Sequence, residues 1–276
     1  MTVAVRHSGA RARSEVERCA AVDRVIAEMH ERLDRPFSLD EMARIAYLSP
    51  FYFNRVFRQQ TGVPPRRFHT ALRVEAAKRL LVTTRRSVTE ICLEVGYQSL
   101  GTFTTHFREL VGVSPRELRR LAADPWLADT EMGELCAEAG VDPAGPAIEG
   151  IVDAPEDSAV FIGLFAHPYP EGLPMACSAR SGPGGYALPM PRSARLYVAA
   201  AAFAPTDKVG ACLTPAASSV LVASGGAPVG SPIGRVRRDL RLRPQRSTDP
   251  PLLLALPLAA AGPTTAPADC VQPAPV

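Results

Sequence analysis

The sequence lacks several features that would assign it quickly. Its six cysteines (Cys19, Cys92, Cys136, Cys177, Cys212, Cys270) include no C-x-x-C pair and no Cys/His cluster at zinc-ligand spacing. No metal site is therefore expected, and the thiols read as reduced, a Cys177–Cys212 disulfide being the alternative. No run of about 18 uninterrupted apolar residues occurs, and the N-terminal MTVAVRHSGARARSE has no apolar stretch of the kind a signal peptide needs. A cytoplasmic protein without a membrane partner is expected. Residues 147–276 hold no recognisable Ser/His/Asp set, phosphate-binding glycine loop or activated-cysteine context, so neither an enzyme nor a cofactor is expected.

Other scarcities are local. Residues 122–179 contain no lysine or arginine but 11 acidic residues, and only five of the 27 prolines lie in residues 1–121. Cutting after Leu121 gives a basic half of net charge +8 and an acidic half of −5. A polyanionic partner is thus suggested for the first half only. The proline shift marks a change from helix-compatible to turn-rich sequence at the same point.

The first half reads as helices. Ser14 and Glu17 form a capping-box pattern, followed by Cys19, Val22, Ile26, Met29 and Leu33 at helical spacing, which predicts one core-facing stripe. Ser38 with Glu41 opens a second helix, Ser49-Pro50 a third that stops at Gly62, and a long helix from about Pro65 to Val82 turns Phe68, Leu72, Ala76 and Leu80 inward. The pattern then returns. Ser38, Glu41, Met42, Ala43 and Ala46 match Ser87, Glu90, Ile91, Cys92 and Val95; after one extra residue, Phe53, Phe57, Gly62, Val63 and Pro65 match Phe103, Phe107, Gly112, Val113 and Pro115.

Each repeat has what a helix-turn-helix needs: a small residue at the helix crossing (Ala43, Cys92), a tight turn, and a second helix with a polar outer face. The first such face offers Phe51, Asn54, Arg55 and Arg58. Arginine can bond guanine bidentately, asparagine can do so with adenine, and apolar groups can meet a thymine methyl. Asn54 is the one asparagine of the chain. The second face, Leu100, Gly101, Thr102, Thr104, Thr105 and Arg108, is less charged and suits methyls, phosphates and shape. Ser49 and Ser99 are expected to cap these helices and, with Arg66 and Arg67, to meet phosphate. Arg73, Lys78, Arg79, Arg85 and Arg86, on or beside the connecting helix, read equally well as phosphate contacts or solvated charges.

SLDEMARIAYLSPFYFNRVFRQQTG, the connecting ALRVEAAKRLL and SVTEICLEVGYQSLGTFTTHFRELVGVSPREL resemble the AraC/XylS family of transcription regulators over about Val22 to Leu121. The resemblance implies seven helices in which one long helix holds two helix-turn-helix units against one face of double-stranded DNA. It places base contacts on Phe51, Asn54, Arg55, Leu100, Gly101, Thr102, Thr104 and Thr105. Leu100 and Gly101 stand where long polar residues are common in such proteins, and the DNA-binding part here comes first, whereas the family usually carries its sensor first.

From Ala147 the chain reads as short strands: AIEGIV, AVFIGLFA, GYALPM, RLYVAAAAF, SVLVAS, GRVRRDLRLR and PLLLALPLA. An all-β sandwich is expected. The stretch from Ile151 to Phe203 also resembles a transthyretin-like, carboxypeptidase-regulatory β-sandwich. His167, Tyr169, Glu171 and Tyr186 read as exposed loop residues in preference to a ligand site. The expected organisation is a flexible tail (1–13), an all-α tandem helix-turn-helix domain (14–121), an acidic linker with one short helix near residues 129–139 (122–146), a β-sandwich for sensing or interaction (147–264) and a second tail (265–276). The expected function is a sequence-specific transcription regulator, an activator by family habit. RNA polymerase and a small-molecule effector are its further expected partners. The alternatives are a DNA-targeted enzyme and a DNA-binding protein that does not regulate.

Overall fold

Ser38 and Ser87 begin their helices as the sequence requires: each hydroxyl accepts the N–H of the glutamate three residues on, and that glutamate bonds back to the serine N–H. The computed structural model describes residues 3–136, 145–190, 195–230 and 234–254, with side chains from residue 16 onward. Among them the helical half runs α1 (Val3–Glu31), α2 (Leu39–Ile45), α3 (Pro50–Thr61), α4 (Pro65–Thr83), α5 (Val88–Glu94), α6 (Leu100–Val111) and α7 (Pro115–Ala122). Gly62 and Gly112 end α3 and α6 in left-handed conformations, the cap that glycine adopts without a Cβ penalty.

Two cores lie on either side of α4. One joins α1, α2, α3 and the N-terminal part of α4 around Met29, Met42, Phe53, Phe57 and Phe68. The other joins the rest of α4 to α5, α6 and α7 around Ile91, Phe103, Phe107 and Leu118. Serving both, α4 buries far more than the expected Phe68–Leu72–Ala76–Leu80 stripe: Ala76 and Leu80 are only partly buried, while His69, Val74, Ala77, Lys78 and Leu81 are fully so. Helix α1 also differs from expectation. It begins at Val3, so Ser14 lies inside it and does not start it, and Cys19 is exposed, the stripe running through Ala21, Val22, Val25, Ile26 and Met29.

The acidic stretch after α7 is not a bare linker. It forms α8 (Pro125–Asp129), just ahead of the expected helix, and a 3-10 turn at Met132–Leu135 within the expected span; residues 137–144 lie outside those described. Its apolar members decide this, because Leu127 and Met132 are buried against a sheet.

Beyond it are two sheets. The first orders β4 (Gly184–Pro189), β1 (Ala147–Asp153) and β7 (Arg235–Arg237), with β8 (Leu240–Arg241) also on β1. The second orders β3 (Ala176–Ser181), β2 (Ala159–Phe165), β5 (Tyr197–Phe203), β6 (Leu221–Ser224) and β9 (Arg243–Pro244). They face one another through Ile148, Val152, Val160, Ile162, Leu188 and Val198, the sandwich expected from alternation. The outer face of the second sheet is covered by Leu127, Met132, Val209, Leu252 and Leu254, so β2 is buried along its whole length.

Three strand assignments change. ACSARS, without large alternating apolar residues, is nevertheless β3, held by β2. GRVRRDLRLR breaks into β7, β8 and β9, and between β7 and β8 the exposed Asp239 carboxylate accepts the Ile151 N–H at the sheet edge. Residues 251–254 form no strand but lie buried between the two halves, and the remaining ALPLA is outside the described residues, as is the C-terminal tail.

Candidate nucleic-acid interface

Both turns of the repeat use the same backbone. Leu48 and Tyr97 N–H groups donate to Ala43 and Cys92 carbonyls at 3.0 Å, and the residue before each, Tyr47 or Gly96, is left-handed. Tyr47 can carry a side chain there because it points to solvent, 85% exposed. Gly96 cannot: a Cβ would lie 2.5 Å from the Leu33 carbonyl oxygen. At this point the second unit packs directly on the α1–α2 loop of the first.

Each second helix turns its aromatic side inward and its expected reading face outward. In α3, Phe53 packs edge-on with Phe57 and Phe57 with Phe68, while Phe51 (84% exposed), Asn54, Arg55 and Arg58 face solvent. The Arg55 guanidinium sits 5.0 Å from the Tyr52 ring centroid, a cation–π contact that limits its freedom before any ligand arrives. In α6, Phe103 and Phe107 are buried; Leu100, Gly101, Thr102, Thr105 and Arg108 are exposed and Thr104 is half-buried. Ser99 caps α6 by accepting the Thr102 N–H. Ser49 occupies the N-cap position of α3 with its carbonyl accepting the Phe53 N–H, but its hydroxyl makes no cap bond, contrary to expectation. Pro50 at the first helical position has no N–H to offer.

The basic residues around α4 separate by environment. Arg66 and Arg85 are exposed. Arg86 pairs with Glu94, and Arg79 lies 3.8 Å from Glu75. Arg73 donates to the Arg35 carbonyl at 2.5 Å and lies over Tyr97, tying the units together beside Gly96. Lys78, read from sequence as a phosphate contact or a solvated charge, is 1% exposed and donates to the carbonyls of Leu252, Leu253 and Leu254. Burial pushes its ammonium down to about 7, against the nearby Glu75 carboxylate.

Arg67 is engaged too. It donates to the Tyr169 hydroxyl and to Glu171, whose carboxylate also lies 3.1 Å from His167. The sequence reading of these loop residues as exposed fails for Tyr169 and Glu171, which are buried, and for Tyr186, which is buried and donates to the Arg238 carbonyl; only His167 is exposed. Alternating prolines in HPYPEGLP were the available signal, since they stiffen a loop that must fit a surface. Among the described residues no group of His, Cys, Asp and Glu could hold a metal, and no helix is long and apolar enough to cross a membrane.

Comparison with known proteins places the likeness in the helical half. A family model described as a helix-turn-helix domain matches residues 42–121. The XylDLEGF operon transcriptional activator 2 of Pseudomonas putida is 30% identical over 105 residues, which cover 37% of this chain and 67% of that protein. The uncharacterized HTH-type transcriptional regulator YobQ of Bacillus subtilis is 33% identical over 94 residues, covering 34% of this chain and 39% of that one. This chain therefore spans well under two thirds of the Bacillus relative. A solved AraC-type DNA-binding-domain regulator from Chromobacterium violaceum is 28% identical at a TM-score of 0.37, over 38% of this chain and 95% of the other.

Proposed function

The chain belongs to the AraC/XylS family of helix-turn-helix transcription regulators, and from that membership we propose that it binds double-stranded DNA sequence-specifically, with α3 and α6 in two adjacent major-groove segments. The carrying observation is the duplication. Two helices with buried aromatic backs present solvent-facing sets of unlike chemistry, Asn54-Arg55-Arg58 and Thr102-Thr105-Arg108. Unlike faces read unlike half-sites. Ser49, Ser99 and Arg66 flank these faces as phosphate contacts, and Arg67 does so once released from Glu171. Residues 14–121 form the DNA-reading unit and residues 147–264 the sensing or interacting one.

Regulation then runs through RNA polymerase at the bound site. A cleft of about 290 Å³ between the halves, lined by His30, Glu75 and Arg79 on one side and Gln245, Arg246 and Asp249 on the other, supports a small-molecule effector as a further partner. The test is a mobility shift of the full chain on DNA recovered by selection from a random pool, at fixed salt with random competitor. A retained preferred site supports the reading, and equal binding to all sequences leaves a non-regulatory DNA-binding protein.

A further inference from the structure

The β half touches both helix-turn-helix units through one loop, residues 166–175 between β2 and β3. Tyr169 joins the buried core of the first unit, the cluster that holds Phe57 and Phe68. Three residues later the Gly172 N–H donates to the Leu110 carbonyl, at the end of α6, at 2.8 Å, and Leu173 packs over Gly112 in the second unit. Gly172 is left-handed, and a Cβ there would lie 2.8 Å from the Glu109 carbonyl oxygen, so the loop lies directly on the backbone of α6.

Stiffness suits this loop to hold two bodies apart at a fixed distance. Pro168, Pro170 and Pro174 fix alternate stretches of its backbone. Its base is closed by the Met175 N–H donating to Leu164 on β2. At its centre Glu171 is nearly buried and joins Arg67, His167 and, through Arg67, the Tyr169 hydroxyl. A flexible tether would need none of this.

We propose that this loop sets the relative position of α3 and α6, so that the β half determines which half-site spacing the protein reads. The long helix α4 fixes one side of the arrangement and the Gly96–Leu33 contact another; the loop closes it from the end of α6. The proposal rests on the two-unit reading above. Positioning is the role of Tyr169, Glu171 and Gly172, none of which stands on either reading face.

The experiment uses the full chain and the selected site, with spacers from two base pairs shorter to two longer, at fixed salt. The readout is the ratio of affinity at the best spacing to that at its neighbours. The expected wild-type ratio is about tenfold, because a shifted half-site forfeits base contacts. Tyr169→Ala combined with Glu171→Ala should bring the ratio to within about threefold while single half-sites bind at least as well as before, the released Arg67 adding a phosphate contact at every spacing alike, and Tyr169→Phe, which keeps the ring in the core, should stay near wild type. Should the double variant not fold, Gly172→Ala, which leaves the ion pair intact and only pushes the loop off α6, should shift or flatten the same profile. An unchanged ratio in a folded loop variant, whatever its absolute affinity, overturns the proposal. A wild type indifferent to spacing overturns the two-unit reading first and this inference with it.

Discussion

Arg55 and Arg66 are both exposed arginines of the first unit, but one stands on the outer face of α3 and the other in the first turn of α4. Arg55→Ala is expected to cost about 1–3 kcal/mol at the preferred site and to relax base choice, whereas Arg66→Ala weakens all sequences about equally. Selection with each variant separates the two, and equal loss on specific and random DNA for Arg55→Ala removes it from the reading set. Lys78 makes a different prediction. Its folded value of about 7 lies below the ordinary 10.5, so between those limits the unfolded chain holds the extra proton. Stability then rises with pH across that window, the burial penalty being full below about pH 7. Urea unfolding of the wild type and Lys78→Met should show the wild type gaining relative to the variant from pH 7 to pH 9. A constant difference would mean that the three carbonyls hold the ammonium without a shift.

Among the elements, a helix end and a turn carry the clearest contrast. Gly62 and Gly96 have nearly the same left-handed φ, 78° and 79°, but a Cβ at Gly62 meets nothing within 4 Å and one at Gly96 meets the Leu33 and Asp34 backbone. Gly62→Ala should therefore cost roughly 1 kcal/mol, from backbone conformation alone. Gly96→Ala should lower the melting temperature further and weaken DNA binding, because the second unit must move off the first. Equal melting temperatures for the two variants would show that this contact yields freely. Helix α4 supplies the other constraint. Its 19 residues span about 28 Å, which with flanking packing suits recognition helices one DNA turn, about 34 Å, apart. Inserting about 5 base pairs between half-sites should then remove most specific affinity. Undiminished affinity would mean that one unit alone reads sequence.

At the scale of the molecule, the two halves share cores and are not merely tethered. Leu213 and Leu253 belong to the core of the second unit, Leu252 and Leu254 to the covered face of the second sheet, and Lys78 holds the backbone between them. Residues 14–121 on their own are expected to bind DNA, since both reading faces lie there. They should melt at a lower temperature than the same residues in the full chain, having lost Leu213, Leu253 and Tyr169. Residues 147–276 should not bind. A mobility shift by the C-terminal fragment, or a melting temperature unchanged on removing it, would contradict this account.

The sequence by itself determined whatever depends on residues a few positions apart. The capping boxes at Ser38 and Ser87, the glycine stops at Gly62 and Gly112, the inward phenylalanines of α3 and α6, the apolar runs of β2 and β5 and the mixed strands β1 and β4 were all legible, because backbone periodicity, the length of an apolar run and local hydrogen bonding decide them. The candidate reading faces followed from the same periodicity. Only the tertiary structure decided the fate of Lys78, Tyr169 and Glu171, whose partners in the other half lie 102 to 176 positions away. A buried lysine reads in sequence like a surface one, and a tyrosine or glutamate in a proline-rich loop reads as exposed. What changes them is a second surface brought over them, removing water and supplying carbonyls, a guanidinium and an apolar core in its place. Strand pairing decided the rest: in GRVRRDLRLR the exposed Asp239 carboxylate accepts the Ile151 N–H of β1 between β7 and β8, and ACSARS is a strand because β2 pairs with it and not because of its own residues.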